Sequence, residues 1–159
     1  MSLAMVIEAT DATGRVPEPA MRALRAALPR IALELQRRLG AGGEARAKIV
    51  GDEEMASLHE KHAGVPGTTD VLTFDLREGH AGAHGPSGLM DADIVVCWDE
   101  ALRESKARGH APEHEALLYI VHACLHCLGH DDHDDDDAAR MHDAENAVLE
   151  AAGVGRIFG

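Results

Sequence analysis

Apolar positions along the chain switch between the two-residue period of strands and the three-to-four-residue period of helices. Residues 5–9 predict a first strand. Between Glu18 and Leu39, the residues Met21, Leu24, Leu28, Ile31, Leu35 and Leu39 recur at spacings of three and four, a helical stripe. Arg22, Arg25, Arg30, Arg37 and Arg38 fall mostly off it. Pro29 is expected to break or kink this helix, because it removes a backbone donor and crowds the preceding turn. Gly40 is expected to end it. Residues 45–50 and 71–76 predict two more strands, with a short helix at 52–62 between them and a Gly- and His-bearing loop at 78–90. The run Asp93-Ile-Val-Val-Cys-Trp98 predicts a fourth strand, apolar enough to be buried on both faces. Helices are expected at about 99–108, 112–128 and 134–152. The pattern predicts one α/β domain spanning residues 1–159, layered, with a mixed sheet of about four strands and five to six helices.

Composition narrows the class. A chain of 159 residues buries roughly two-thirds of its unfolded surface, enough for one core without staples. Aromatic residues make up only 3% of the chain, so Leu, Ile, Val and Ala must build that core. No apolar run approaches the ~18 residues of a membrane span, and no membrane partner is expected. Three cysteines, an odd number, argue against a disulfide framework and for Cys97, Cys124 and Cys127 as small core residues in a reducing, cytoplasmic setting. The formal charge of −13 disfavours indiscriminate nucleic-acid binding, but it is unevenly spread. Residues 1–50 carry eight Arg or Lys against five acids, and the remainder seven against twenty-three, which allows a basic face on an acidic body.

The chemistry concentrates in His122-Ala-Cys-Leu-His126-Cys-Leu-Gly129-His130-Asp131-Asp132-His133. Residues 113–128 hold no Gly or Pro and read as helix. His122 and His126 are four apart, so both imidazoles share one helix face, about one turn apart, at the spacing that chelates a single zinc ion. A chain with eleven histidines produces such pairs by chance; a pair followed by a glycine and a ligand-bearing turn is more specific. Gly129 lets the chain reverse, and Asp132 and His133 compete for the third ligand place. Two histidines and one further ligand leave a tetrahedral position for water, the pattern of a catalytic zinc. Cys124 lies about 200° round the helix from His122, and Cys127 about 100° from His126, so the C-x-x-C spelling is better read as core packing. The acids Asp134 to Asp137 read as the solvated first turn of the last helix, where carboxylates suit the dipole. A zinc protease of H-E-x-x-H type would carry a glutamate general base where this chain has Ala123.

This segment resembles the H-G-x-L-H-L-x-G-Y-D-H signature of the YbeY family, the metal-dependent endoribonucleases of ribosomal RNA maturation. Thr69-Asp-Val-Leu-Thr-Phe74 is similar to that family's T-D-V-L-S-F strand, and Ala92-Asp-Ile-Val-Val96 to its G-D-I-V-I strand. Glu115, seven residues before His122, falls where a family glutamate is expected. The resemblance covers about residues 53–149 with its motifs in order. It implies a zincin-like fold, one zinc ion per chain, action on single-stranded RNA, and a role in maturing and policing the small ribosomal subunit. Counted from His122, the third signature histidine falls on Asp132, and Met141 keeps the family's distance to it; His133 is the better zinc ligand by chemistry. Ala123, Cys127 and His130 replace a Gly, a Leu and a Tyr. Ala63 stands where the family has an arginine that assists at the RNA backbone, and Lys61 or Arg77 could substitute for it.

The resemblance implies a zinc-dependent, single-strand-specific endoribonuclease. The ion would acidify water and polarise a phosphoryl oxygen. Asp131 or His130 could orient that water, and the residues leave this choice open. A single strand laid along the basic N-terminal helix is the expected approach. The alternatives are a metal hydrolase of another substrate class, such as peptides, and a ribosome assembly factor that cuts nothing.

Overall fold

The computed structural model describes residues 4–77 and 89–155. Residues 78–88, most of the expected Gly- and His-bearing loop, lie outside the described residues. The elements run β1 (Met5–Asp11), α1 (Glu18–Leu39), β2 (Gly43–Val50), α2 (Asp52–Ala63), β3 (Val71–Asp75), β4 (Met90–Cys97), α3 (Trp98–Arg108), α4 (Pro112–Cys127) and α5 (Asp135–Ala151).

The four strands form one mixed sheet in the order β1-β2-β4-β3. β1, β2 and β4 are parallel, with Ile7 opposite Ala45 and Ala47 opposite Ile94. β3 is the antiparallel edge, pairing Val71 with Val96 and Thr73 with Ile94. β4 therefore has a partner on each side, and Ile94, Val95, Val96 and Cys97 are all buried, as an apolar run in an inner strand should be. The strand ends one residue earlier than its apolar run suggests. Trp98 opens α3 instead, still buried in the main core, because Asp99 and Glu100 favour a helix's first turn. Gly43 begins β2 at φ 99°, and a Cβ there would overlap the Met90 carbonyl oxygen. Only glycine lets the two strands meet at that point.

The helices lie on both faces of the sheet. On one face, Met5, Ile7, Ala45, Ala47, Ala92 and Ile94 pack with α1, α4 and α5 in the main core. Alanines at the sheet centre leave room for aliphatic helix residues, which suits a chain with so few aromatics. On the other face, α2 covers a smaller cluster of Val50, Met55, Val95 and Cys97, edged by Leu58, Leu72 and Phe74. α4 is buried almost all round, with every residue from Glu115 to Val121 inside, so its helix is held from several sides. That makes it a rigid platform for side chains near its C-terminal end.

Two expectations about α1 need correction. Pro29 does not break the helix, which runs unbroken from Glu18 to Leu39. Both Pro29 and Arg25, whose carbonyl loses its donor, are exposed, so water can take the place of the missing hydrogen bond. The buried stripe also ends at Leu35; Leu39 in the last turn is 41% exposed, just before Gly40 turns the chain at φ 67°. The five α1 arginines are all exposed, with Arg37 and Arg38 drawn to Glu34. Cys97, Cys124 and Cys127 are buried and outside any disulfide, as expected of core residues. Among the described residues no helix is long and apolar enough to cross a membrane.

Candidate metal centre

The geometry of the site begins with how α4 ends. Leu128 caps the helix, the Gly129 N–H donates to His126 O (3.1 Å), and the His130 N–H donates to Leu125 O (2.9 Å). This is the Schellman pattern, which needs a left-handed residue after the cap; Gly129 supplies it at φ 101°. The chain reverses there, and Asp132 comes back over the face that carries the two histidines.

His122, His126 and Asp132 then place three ligand-type atoms within 4.8 Å of one another. His122 Nε2 and His126 Nε2 are 3.0 Å apart. Asp132 Oδ2 is 3.6 Å from the first and 3.7 Å from the second. The imidazole planes stand at 80°, with centroids 4.6 Å apart. Three ligands at zinc distances in a tetrahedral arrangement sit about 3.3 Å from one another, so the spacing suits a single small divalent ion. All three side chains are partly exposed, which leaves an approach from solvent.

His133 does not join this group. Its side chain is 84% exposed, and Nδ1 lies 2.9 Å from Asp131 Oδ2. Asp131 also accepts from the Asp132 N–H (2.9 Å), so its carboxylate serves the loop and His133. His130 is half-buried, and its backbone closes the cap.

Behind His122 stands Glu145 of α5. The His122 Nδ1–H donates to Glu145 Oε2 at 2.8 Å, and the glutamate side chain is only 2% exposed. Its other oxygen, Oε1, is buried without a hydrogen-bond partner. Burial by itself would lower the His122 pKa. The hydrogen bond to Glu145 and the charges of Glu145, Asp132 and Asp70 outweigh it and hold the imidazole above its ordinary value. Two carboxylates thus bracket two imidazoles, and among the described residues no Arg or Lys pairs with either carboxylate. A buried, incompletely satisfied carboxylate is costly unless positive charge comes near it. The donor set and this charge imbalance both fit a bound divalent cation. Sequence reasoning missed Glu145. Its signal was an acid on the buried stripe of the last helix, among Met141, Val148 and Leu149.

The remaining predicted residues fall outside the cluster. Arg77, just past β3, is held against Asp75 and donates to Cys127 O (2.8 Å), so it ties the edge strand to the end of α4. Its guanidinium is 11% exposed and occupied there, and does not stand free as a substitute for the family arginine. Lys61 is exposed on α2, two residues from the exposed Ala63. Glu115 is fully buried in the first turn of α4, against His110 and Arg108. Ala123 is fully buried, so that position brings no carboxylate to the site.

A family model described as endoribonuclease YbeY matches residues 7–153, from the middle of β1 to just past α5. The chain belongs to the endoribonuclease YbeY family. Among relatives named endoribonuclease YbeY, that of Beutenbergia cavernae is 33% identical over 143 residues, 88% of this chain and 94% of the relative. That of Pelotomaculum thermopropionicum is 34% identical over 129 residues, 80% of this chain and 85% of the relative. That of Renibacterium salmoninarum is 39% identical over 105 residues, 64% of this chain and 66% of the relative. With the first four relatives, the alignments span 55% to 66% of the relatives' own lengths. The fold is similar to the solution structure of TM1509 from Thermotoga maritima, with a TM-score of 0.60 at 21% identity, covering 93% of this chain and 88% of that one. Within the YbeY family frame, the T-D-V-L-T-F motif spans the approach to β3 and most of that edge strand, and A-D-I-V-V lies on β4 beside it.

Proposed function

We propose that this chain is a zinc-dependent endoribonuclease that cleaves single-stranded RNA during ribosomal RNA maturation and quality control. In this reading residues 1–159 act as one domain in the cytoplasm, with the small ribosomal subunit as partner. One zinc ion is held by His122, His126 and Asp132, and His133 stays outside the ligand set. The observation that carries the reading is the triad itself: two imidazole Nε2 atoms and one Oδ2 spaced 3.0 to 3.7 Å apart at a solvent-open helix end. Family membership supplies the reaction class.

The chain's own residues have separable parts in this mechanism. The buried α4 holds both imidazoles on one helix face, so little backbone ordering is left for the moment of binding. Asp132 adds one negative charge to an otherwise neutral ligand pair. When bound, the divalent ion supplies Lewis-acid polarisation of a phosphoryl oxygen and acidifies water. Arg77 ties the edge strand β3 to the end of α4, next to the turn that carries His126. Asp131, paired with His133 in the loop after α4, and half-buried His130 are the two candidates to receive or return a proton, and the choice between them stays open. Phosphodiester cleavage also agrees with Ala123, which denies a peptide hydrolase its usual general base.

The test is cleavage of single-stranded RNA, a casein-type protein and a simple ester by the purified chain, with and without chelator. RNA cleavage that a chelator stops, zinc restores and His126→Ala abolishes is expected, with protein and ester left intact. Chelator-sensitive proteolysis lost in His126→Ala would replace this reading with a peptide hydrolase. Ribosome binding with no cleavage of any substrate would replace it with an assembly factor.

A further inference from the structure

We propose that Glu145 is a positioning residue that sets the tautomer and orientation of His122, and thereby gives this one histidine the leading share of metal affinity. The inference rests on the metal reading above and adds a residue to it.

An ionised carboxylate can only accept hydrogen bonds, so the 2.8 Å contact from His122 Nδ1 to Glu145 Oε2 requires the proton on Nδ1. In the neutral ring the lone pair then sits on Nε2, the atom that faces His126 Nε2 and Asp132 Oδ2. Glu145 cannot easily turn away. It is 2% exposed, on the buried stripe of α5, between Met141 and the pair Val148 and Leu149. The orientation of His122 is therefore fixed from behind before any ion arrives.

His126 differs. Its Nε2 contacts are with His122 and Asp132, and among the described residues no partner is found at its Nδ1. In the metal-free chain, with His122 Nε2 bare, a hydrogen bond across the 3.0 Å between the rings would put a proton on His126 Nε2, and that proton would have to leave before His126 could ligate. One histidine is prepared for the ion and the other must rearrange. Outer carboxylate partners of this kind commonly account for 10–100-fold in metal affinity. The unpartnered, buried Oε1 gives Glu145 a further reason to favour the loaded state, because positive charge passed through His122 offsets its own burial.

The experiment measures zinc affinity of the full chain by competition with a chromogenic chelator, for the wild type, Glu145→Gln, Glu145→Asp and His122→Ala. Histidine nitrogen shifts of the metal-free wild type are recorded alongside, at alkaline pH. Glu145→Gln should weaken zinc binding about 10–100-fold, with the melting curve still cooperative. Glu145→Asp should recover only part of the loss, since its shorter arm retreats from Nδ1. The wild-type spectrum should show His122 protonated on Nδ1 and His126 on Nε2. Unchanged affinity in Glu145→Gln while His122→Ala loses zinc would overturn the role of Glu145 and leave the metal site standing. No zinc binding by the wild type would instead overturn the metal reading beneath it. Should both Glu145 variants fail to fold, a wild-type His122 protonated on Nε2 alone would still overturn the proposal.

Discussion

Glu115 and Glu145 are both buried glutamates with a histidine at hydrogen-bond range, and they belong to opposite ends of the same helical layer. Glu115, 0% exposed in the first turn of α4, faces His110 and has Arg108 Nη1 3.9 Å from its Oε1. Glu145, on α5, faces His122, whose other nitrogen is turned toward another carboxylate, Asp132. Both glutamates leave Oε1 without a hydrogen-bond partner, but Glu115 has a guanidinium of the chain near that oxygen. Glu145 instead faces more negative charge across an imidazole. The same contrast holds for Asp52 and Asp99, which line a cleft of about 630 Å³ at the C-terminal ends of the parallel strands. Arg103 donates to Asp52 at 2.8 Å and Arg15 to Asp99 at 3.1 Å, and these guanidinium partners hold both carboxyls below their usual range despite the opposing effect of burial. Acidic clusters with their own arginines hold the fold together. Among the described residues the cluster of His122, His126, Asp132 and Glu145 has no such arginine, which fits the proposed cation site.

The strongest way to break this contrast is at the third ligand. Asp132→Ala should weaken zinc binding beyond the roughly 10–100-fold typical of losing an outer partner, while His133→Ala, removing an 84% exposed ring, changes it little. Isothermal titration of the two variants checks this, and the reverse order would mean that the loop after Gly129 slides by one residue when it binds the ion.

Another substitution sharpens the comparison from the other side. Glu115→Gln leaves Arg108 and His110 without their carboxylate and should cost about 1–3 kcal/mol in urea unfolding. Zinc affinity should stay within about twofold, since Glu115 is two turns from His122, roughly 10 Å along the helix. A large loss of zinc affinity at unchanged stability would place Glu115 in the metal machinery after all.

The smallest effect is expected at the thiols. Burial raises Cys124 well above the ordinary range and pushes Cys127 up to about 11. A thiol reacts as its thiolate, so alkylation of the native chain should be slow near neutral pH and should quicken only as pH rises toward that value. The double variant Cys124→Ala with Cys127→Ala should lose some stability through lost buried volume and keep its zinc. Fast labelling at neutral pH, or loss of zinc at an unchanged melting point, would show that the sulfurs serve the site.

Much of the fold was legible because local and global preferences agree. The α1 stripe from Met21 to Leu35, the inner-strand run of β4 and the Gly129 stop each report one dominant physical cause. Pro29 misled because its penalty depends on whether the orphaned carbonyl can reach water, which only the burial of its turn decides. Trp98 misled because apolar character alone does not mark where a strand hands over to a helix. At the candidate site, the i, i+4 pair could be read from spacing, while the register to Asp132 came only from the resemblance to the family signature. The preference between Asp132 and His133 could not be read from ligand chemistry alone, because the Schellman turn controls which side chain returns over the helix. Glu145 showed only as an acid on an apolar stripe, and its partner was out of reach, since the contact joins α5 to α4 across 23 residues and depends on how two helices pack.

The most direct test of the metal centre is the zinc content of the purified chain beside that of the double variant His122→Ala, His126→Ala, measured by elemental analysis after exhaustive dialysis. The expected result is about one zinc ion per wild-type chain, the number that one three-ligand catalytic site holds, and none retained by a folded double variant. Stoichiometric zinc in that double variant would contradict the assignment, because the ion would then be held by residues other than the helix pair on which the site is built.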